Sequence, residues 1–359
     1  MALPRNGKSF ACSCARLRAY HPPATQWYKL PLVRRAAVLI LLFADKKGEL
    51  RVVLTIRSAG LKNYAGQAAL PGGKADTLSE TPWTTARREA FEEIGLSMTN
   101  EDLPSGYVVE HLTELPSNLA MTELGVRPCV AYLKAPAPRS PSLGTGDADR
   151  APDVARDLLP KLDAKEVAAV FTSPFHNFLR SEDEDVRDRE GERKVPGQWY
   201  NGSWHSWHES PWRMHQFYVP VKPSTVFRAK TIAAGDAAKE DDPRPSKPKH
   251  QPKADKATPS SQNVHSSSSS LQPPLPSSTY QVSGNVLDQR RYRVFGMTAR
   301  ILVDCARVAY GEEPDFEHNS HFGDEDMIGK LMKAGRLGPE RKHREVLTRD
   351  VMVRAAKLS

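Results

Sequence analysis

Three glutamates, Glu89, Glu92 and Glu93, stand close together in "REAFEEIGL". On a helix, residues three and four apart share a face, so these carboxylates crowd one another. Like charges at that spacing oppose helix formation, and the arrangement calls for a cation. Hard divalent ions such as Mg²⁺ take carboxylate oxygens, a few per ion, completed by water and substrate phosphates. Glu89 and Glu93 lie one turn apart and can grip the same ion, with Glu92 beside them. Glu80 lies upstream of Arg88, where it can hold that arginine in place. The competing reading is a solvated acidic face, which a bare "EE" would fit equally well.

The surrounding elements suit a positioned helix. Ala86, Ala90 and Ile94 form a narrow apolar stripe opposite the acids, with Trp83 a turn earlier. Thr81 then Pro82 supply an N-cap and first helical position, and Gly95 suits the residue just past the end. A glycine-rich loop, "AGQAALPGGKAD", leads into the helix. Before it, "RRAAVLILLFA" and "ELRVVLTIRS" flank "DKKG", a hairpin pattern with Gly48 in the turn. Further strands are expected in "YVVEHLTELPS", "GVRPCVAYLKA", "KEVAAVFTSP" and "WRMHQFYVP". A second amphipathic helix is expected at 296–311, where Arg300 and Asp304 form a one-turn pair.

"GGKADTLSETPWTTARREAFEEIGL" resembles the Nudix box, in which a glycine, a glutamate and then Arg-Glu-x-x-Glu-Glu-x-Gly follow at set spacing. From Glu80 onward the match is complete; upstream, Gly73 stands one residue further from Glu80 than the pattern has it. The resemblance implies an α/β Nudix fold, a mixed β-sheet sandwiched between helices, and hydrolysis of a diphosphate linked to another moiety. It implies Mg²⁺ or Mn²⁺ held by Glu89, Glu92, Glu93 and the Gly73 carbonyl. Glu89, Glu92, Arg88 and Glu80 are then the catalytic set, with Glu89 or a neighbour as proton acceptor.

"LTIRSAGLKNYAGQAALPGG" is similar to the signature of the coenzyme A diphosphatase branch of that superfamily. Lys62 stands where arginine is usual, keeping the charge without the bidentate fork, and Leu70 where phenylalanine is usual. The longer loop before Glu80 fits the same branch. The resemblance implies cleavage of coenzyme A or acyl-CoA into 3′,5′-ADP and 4′-phosphopantetheine, with Arg57, Lys62, Tyr64, Gly72 and Gly73 binding substrate. The runner-up is a housecleaning hydrolase of 8-oxo-dGTP or NADH-like dinucleotides. A non-catalytic Nudix-fold binding protein is the alternative of another class, and retention of every box glutamate speaks against it.

The bulk properties set the frame. The 359 residues carry 51 Lys+Arg against 43 Asp+Glu, a formal charge of +8 that favours anionic partners. The basic C-terminal stretch lacks the aromatic interleaving of single-strand binders, which argues against nucleic acid. Four scattered cysteines lack metal or disulfide spacing, as in a reduced intracellular protein. No apolar run reaches the ~18 residues of a membrane span. The expected division is a basic extension at 1–30, a Nudix domain at 31–222 and 284–318, a disordered insertion at 223–283 and a basic tail at 319–359. A second Pro/Ser/Gly-rich stretch at 135–157 reads as a loop. The acid-free N-terminus suggests a mitochondrial address and the resemblance a peroxisomal one, with the cytoplasm also open. In "WYNGSWHSWHESPWRMH", His205, His208 and His215 lack zinc-site spacing, and the tryptophans are expected in the core or lining a substrate pocket.

Overall fold

β1 (Arg35–Ala44) is apolar along both faces because both are covered. It turns through Gly48, at φ 77°, into β2 (Leu50–Arg57), pairing Leu42 with Val52 and Ala44 with Leu50. The structure, a computed structural model, describes residues 10–59, 66–136, 165–184, 197–207, 210–222, 225–228, 290–340 and 349–357.

The main sheet is mixed. Its order is β11 (Val226–Arg228), β8 (Val167–Pro174), β2, β1, β7 (Gly125–Lys134) and β5 (Val108–Glu114). β1 and β7 run parallel and the other neighbours antiparallel. Short strands β3 (Ala68–Ala69), β4 (Gly72–Lys74) and β6 (Asn118–Leu119) pair with β2, β1 and β7 respectively.

Side-chain alternation along β1 sorts the two layers that cover it. Ala37, Leu39 and Leu41 share a core with Ala86, Ala90 and Ile94 of α2 (Pro82–Ile94), the glutamate helix. Ile40 and Leu42 face the other way, into a core with Leu17 of α1 (Phe10–Ala19) and Ile301, Leu302 and Cys305 of α3 (Gly296–Tyr310). The expected sheet between helices is therefore present. A second, three-stranded antiparallel sheet orders β12 (Arg291–Phe295), β10 (Ser210–Pro220) and β9 (Tyr200–Trp207).

The expected boundaries at both ends are too narrow. Residues 10–30 belong to the fold: Leu17 and Trp27 are wholly buried, and the Trp27 indole donates to the Ala36 carbonyl at 2.8 Å. The buried face of α1 is only Ser13, Cys14 and Leu17, too slight an apolar stripe to stand out beside Arg16 and Arg18. Residues 319–359 are likewise more than a tail. Ile328 and Leu331 of α4 (Glu325–Lys333) share a core with Leu30, Leu119 and Ala355 of α5 (Arg349–Ala356). The Glu325 carboxylate accepts from the backbone of Gln26 and Ser117, each at 2.7 Å, and from Arg127 at 2.9 Å.

The expected insertion also begins too early, since Val226–Arg228 add a strand to β8. The rest of 229–283 lies outside the described residues, as does 137–157 of the expected loop. The Arg300–Asp304 pair is not formed as expected. Arg300 reaches Asp324 at 3.0 Å and the Gly323 carbonyl at 2.9 Å, while Asp304 meets Arg307 at 3.5 Å. Both α3 residues are buried and need partners; Arg300 finds its own outside the helix, and Asp304 finds Arg307 a turn further along it.

Candidate functional site

Thr81 caps α2, accepting from Thr84 N–H at 3.1 Å, and Gly95 ends it at φ 72°. Between those ends the helix presents its acids toward β4. There the chain runs so close to β1 that a side chain at Gly72, φ 152°, would overlap the backbone of Ala37 and Val38. A Cβ at Gly73 would overlap the Glu89 carboxylate, so that carboxylate sits directly over bare backbone. Gly72 N–H donates to Glu93 Oε2 at 3.2 Å.

Arg88 organises the outer rim. Its Nε donates to Glu80 Oε1 at 3.0 Å, one Nη to Glu89 and Glu92 at 3.3 and 3.1 Å, and the other to the Lys74 carbonyl at 2.7 Å. Glu80 in turn accepts from Asp76 N–H at 3.0 Å and the Thr85 hydroxyl at 2.8 Å. Burial alone would raise the Glu80 pKa, but these three donors hold it below the usual carboxylate range. The arginine thus ties the loop, the start of the helix and the acids into one piece, as the sequence suggested for Glu80.

The inner acids are under electrostatic stress. Burial, with repulsion from Glu92, lifts Glu89 to about 7 despite Arg88. Burial, with repulsion from Glu89, lifts Glu93 to about 8 against the Gly72 hydrogen bond and Arg57. Glu92 is half exposed and turned to Arg88. Arg57, at the end of β2, brings Nη1 within 4.0 Å of Glu93. The signature strand and the glutamate helix therefore meet at one place.

The structure brings together Glu80, Arg88, Glu89, Glu92, Glu93, Gly72, Gly73 and Arg57; Lys62 and Tyr64 lie outside the described residues. Leu70, the other departure from the signature, is buried in the core and faces no site. Glu166 is an addition that the linear sequence hides. Its backbone carbonyl accepts from Ser58 N–H at 2.8 Å, and its carboxylate repels both Glu89 and Glu93. Only the pairing of β8 with β2, which sets Val167 opposite Arg57, carries it there.

The histidine–tryptophan segment forms β9 and β10, and among the described residues its histidines share no metal geometry. His215 is buried on the Tyr200 hydroxyl at 3.1 Å, and exposed His205 pairs with Ser203 at 2.8 Å; His208 lies outside the described residues. Trp204 is 45 % exposed, donating to Glu317 at 2.8 Å, which excludes the core for it and leaves the other expectation, the lining of a pocket.

Residues 33–118 match the NUDIX domain, spanning β1, the glycine loop and the whole glutamate helix. This stretch is a Nudix domain. The chain is 36% identical over 184 residues to peroxisomal coenzyme A diphosphatase 1 of Saccharomyces cerevisiae, covering 49% of this chain and 53% of that one. It is 36% identical over 157 residues to the mitochondrial Nudix hydrolase 15 of Arabidopsis thaliana, covering 44% and 46%. A peroxisomal coenzyme A diphosphatase of Caenorhabditis elegans is 38% identical over 102 residues, covering 28% and 41%. The matches thus span about half or less of those relatives, and they reach well beyond the Nudix box in the first two. Among the described residues, no helix is long and apolar enough to cross a membrane.

Proposed function

We propose that the chain hydrolyses the diphosphate bond of coenzyme A or an acyl-CoA, giving 3′,5′-ADP and the (acyl-)4′-phosphopantetheine. The observation that carries this reading is the approach of Arg57 to Glu93. It joins the coenzyme A-type strand, a fixed cation at its end, to the carboxylates of the Nudix helix. Two of the relatives bear coenzyme A diphosphatase names, which supports the same substrate.

The residues suit a Mg²⁺ or Mn²⁺ centre. Burial raises the pKa of both Glu89 and Glu93, Glu89 adds to the shift of Glu93, and Gly73 leaves open backbone beneath Glu89. Glu89, Glu92, Glu93 and the Gly73 carbonyl would hold the ion, which supplies charge neutralisation of the diphosphate and activation of water. Arg88 and Glu80 fix the carboxylates in place. Glu89 accepts the proton of the attacking water, its basicity raised by burial and by repulsion from Glu92 and Glu166. Arg57, with Lys62 and Tyr64 further along the sequence, binds the 3′-phosphate and adenine side of the substrate.

The peroxisome and the mitochondrion are the compartments that the relatives' names suggest. The test is a panel of CoA, 8-oxo-dGTP, NADH and ADP-ribose offered to purified protein with Mg²⁺ or Mn²⁺. CoA should be turned over fastest; faster turnover of any other member would replace the substrate assignment.

A further inference from the structure

Beneath the first turn of α2, the edge strand β5 changes register between His111 and Thr113. Residues three apart on a regular strand point to opposite faces. The bulge cancels this, setting His111 opposite Ala131 and Glu114 opposite Cys129. Ala131 and Cys129 both face α2, so His111, Glu114 and Cys129 are gathered on one side of the sheet. One candidate ligand atom from each lies within 4.8 Å of the others, the one such group of three among the described residues.

We propose that His111, Glu114 and Cys129 form a binding site for one divalent transition ion of the borderline-soft class to which Zn²⁺ belongs. The donors decide the class. Thiolate and imidazole select Zn²⁺-like ions, whereas Mg²⁺ takes oxygens, so this site and the glutamate cluster would not compete for one metal. The site shares no residue with that cluster and goes beyond the diphosphatase reading.

The supporting contacts are those a metal site needs. The His111 ring lies flat on Trp83, with centroids 4.2 Å apart and planes at 12°. It hydrogen-bonds to the Thr113 backbone, leaving its second nitrogen as a ligand, and burial keeps the ring on the neutral side. Arg127 Nε takes Oε2 of Glu114 at 2.9 Å, orienting that carboxylate. Cys129 is fully buried and forms the floor, while exposed His111 and partly buried Glu114 form the rim. An ion enters from the rim and displaces the thiol proton, with a fourth position left to water. Closing 4.8 Å to the ~3.3–3.8 Å between ligands of a tetrahedral ion takes a shift of about 1 Å.

Co²⁺ is the probe, titrated into the full chain with Mg²⁺ in excess to fill oxygen-only sites. One Co²⁺ per chain should produce a thiolate-to-cobalt charge-transfer band in the near ultraviolet. Cys129→Ser should abolish the band, and His111→Ala and Glu114→Gln should each weaken Co²⁺ binding at least ~10-fold. His111 is exposed, so His111→Ala reads the site even where Cys129→Ser does not fold. Absence of the band at saturating Co²⁺, or undiminished affinity in both rim variants, overturns the proposal.

Discussion

The backbone N–H of Gly72 donates to Oε2 of Glu93 at 3.2 Å, tying the glycine loop to the inner face of the glutamate helix. That bond partly offsets the burial of a carboxylate which its surroundings lift to about 8. A residue that costs stability as an anion and keeps one donor aimed at it is arranged for a charge that comes from outside the chain.

Glu93→Gln separates the two roles. The amide keeps an oxygen for Gly72 and the neutral form that burial already favours at this position, so the melting temperature should hold or rise. Hydrolysis should fall by more than the ~10–100-fold that changes around a metal's ligands cost. Parallel melting and turnover measurements check this; activity near wild type would remove Glu93 from the metal set.

Arg88 gathers Glu80, Glu89, Glu92 and the Lys74 carbonyl through one planar group. Lysine cannot reproduce that fork. Arg88→Lys should raise the Mg²⁺ concentration for half-maximal activity and lower kcat by ~10–100-fold. An unchanged Mg²⁺ dependence would make the arginine a merely structural residue.

The two loop glycines should fail differently. At Gly72 the backbone sits at φ 152° against β1, so Gly72→Ala should cost about 1–3 kcal/mol of stability. At Gly73 the nearest obstacle is the Glu89 carboxylate, and Gly73→Ala should fold but lose activity. Chemical denaturation alongside turnover distinguishes them.

Burial, aided by the positive charges of Arg213, His318 and Arg300, pushes His215 from 6.5 down to about 3. Unfolded chain therefore binds the proton that the folded chain refuses. The contribution is complete above pH 6.5 and is lost as pH falls from about 6.5 toward about 3. Denaturation midpoints across that window should drop more steeply for wild type than for His215→Phe.

Leu17 tests the inclusion of the N-terminal helix. It is wholly buried against α3, so Leu17→Ala should destabilise the domain by about 2–5 kcal/mol, read by denaturant unfolding. An extension without fixed structure would give no change.

What the sequence showed depended on how local each feature is. The caps at Thr81 and Gly95, the Gly48 hairpin and the crowding of Glu89, Glu92 and Glu93 are short-range patterns with a physical cause, and each is found as read. Glu166 and the His111–Glu114–Cys129 group come from strand pairing and from a bulge, and neither leaves a mark in the linear order. The fold ends were misjudged because α1 buries only Ser13, Cys14 and Leu17, and α4 attaches through Glu325, whose partners lie some 200 and 300 residues away.

The most direct measurement is the product analysis of CoA incubated with the full chain and Mg²⁺. Equal amounts of 3′,5′-ADP and 4′-phosphopantetheine should form, and neither should appear with Glu93→Gln. Intact CoA with active protein, or cleavage at any bond outside the diphosphate, would contradict the account.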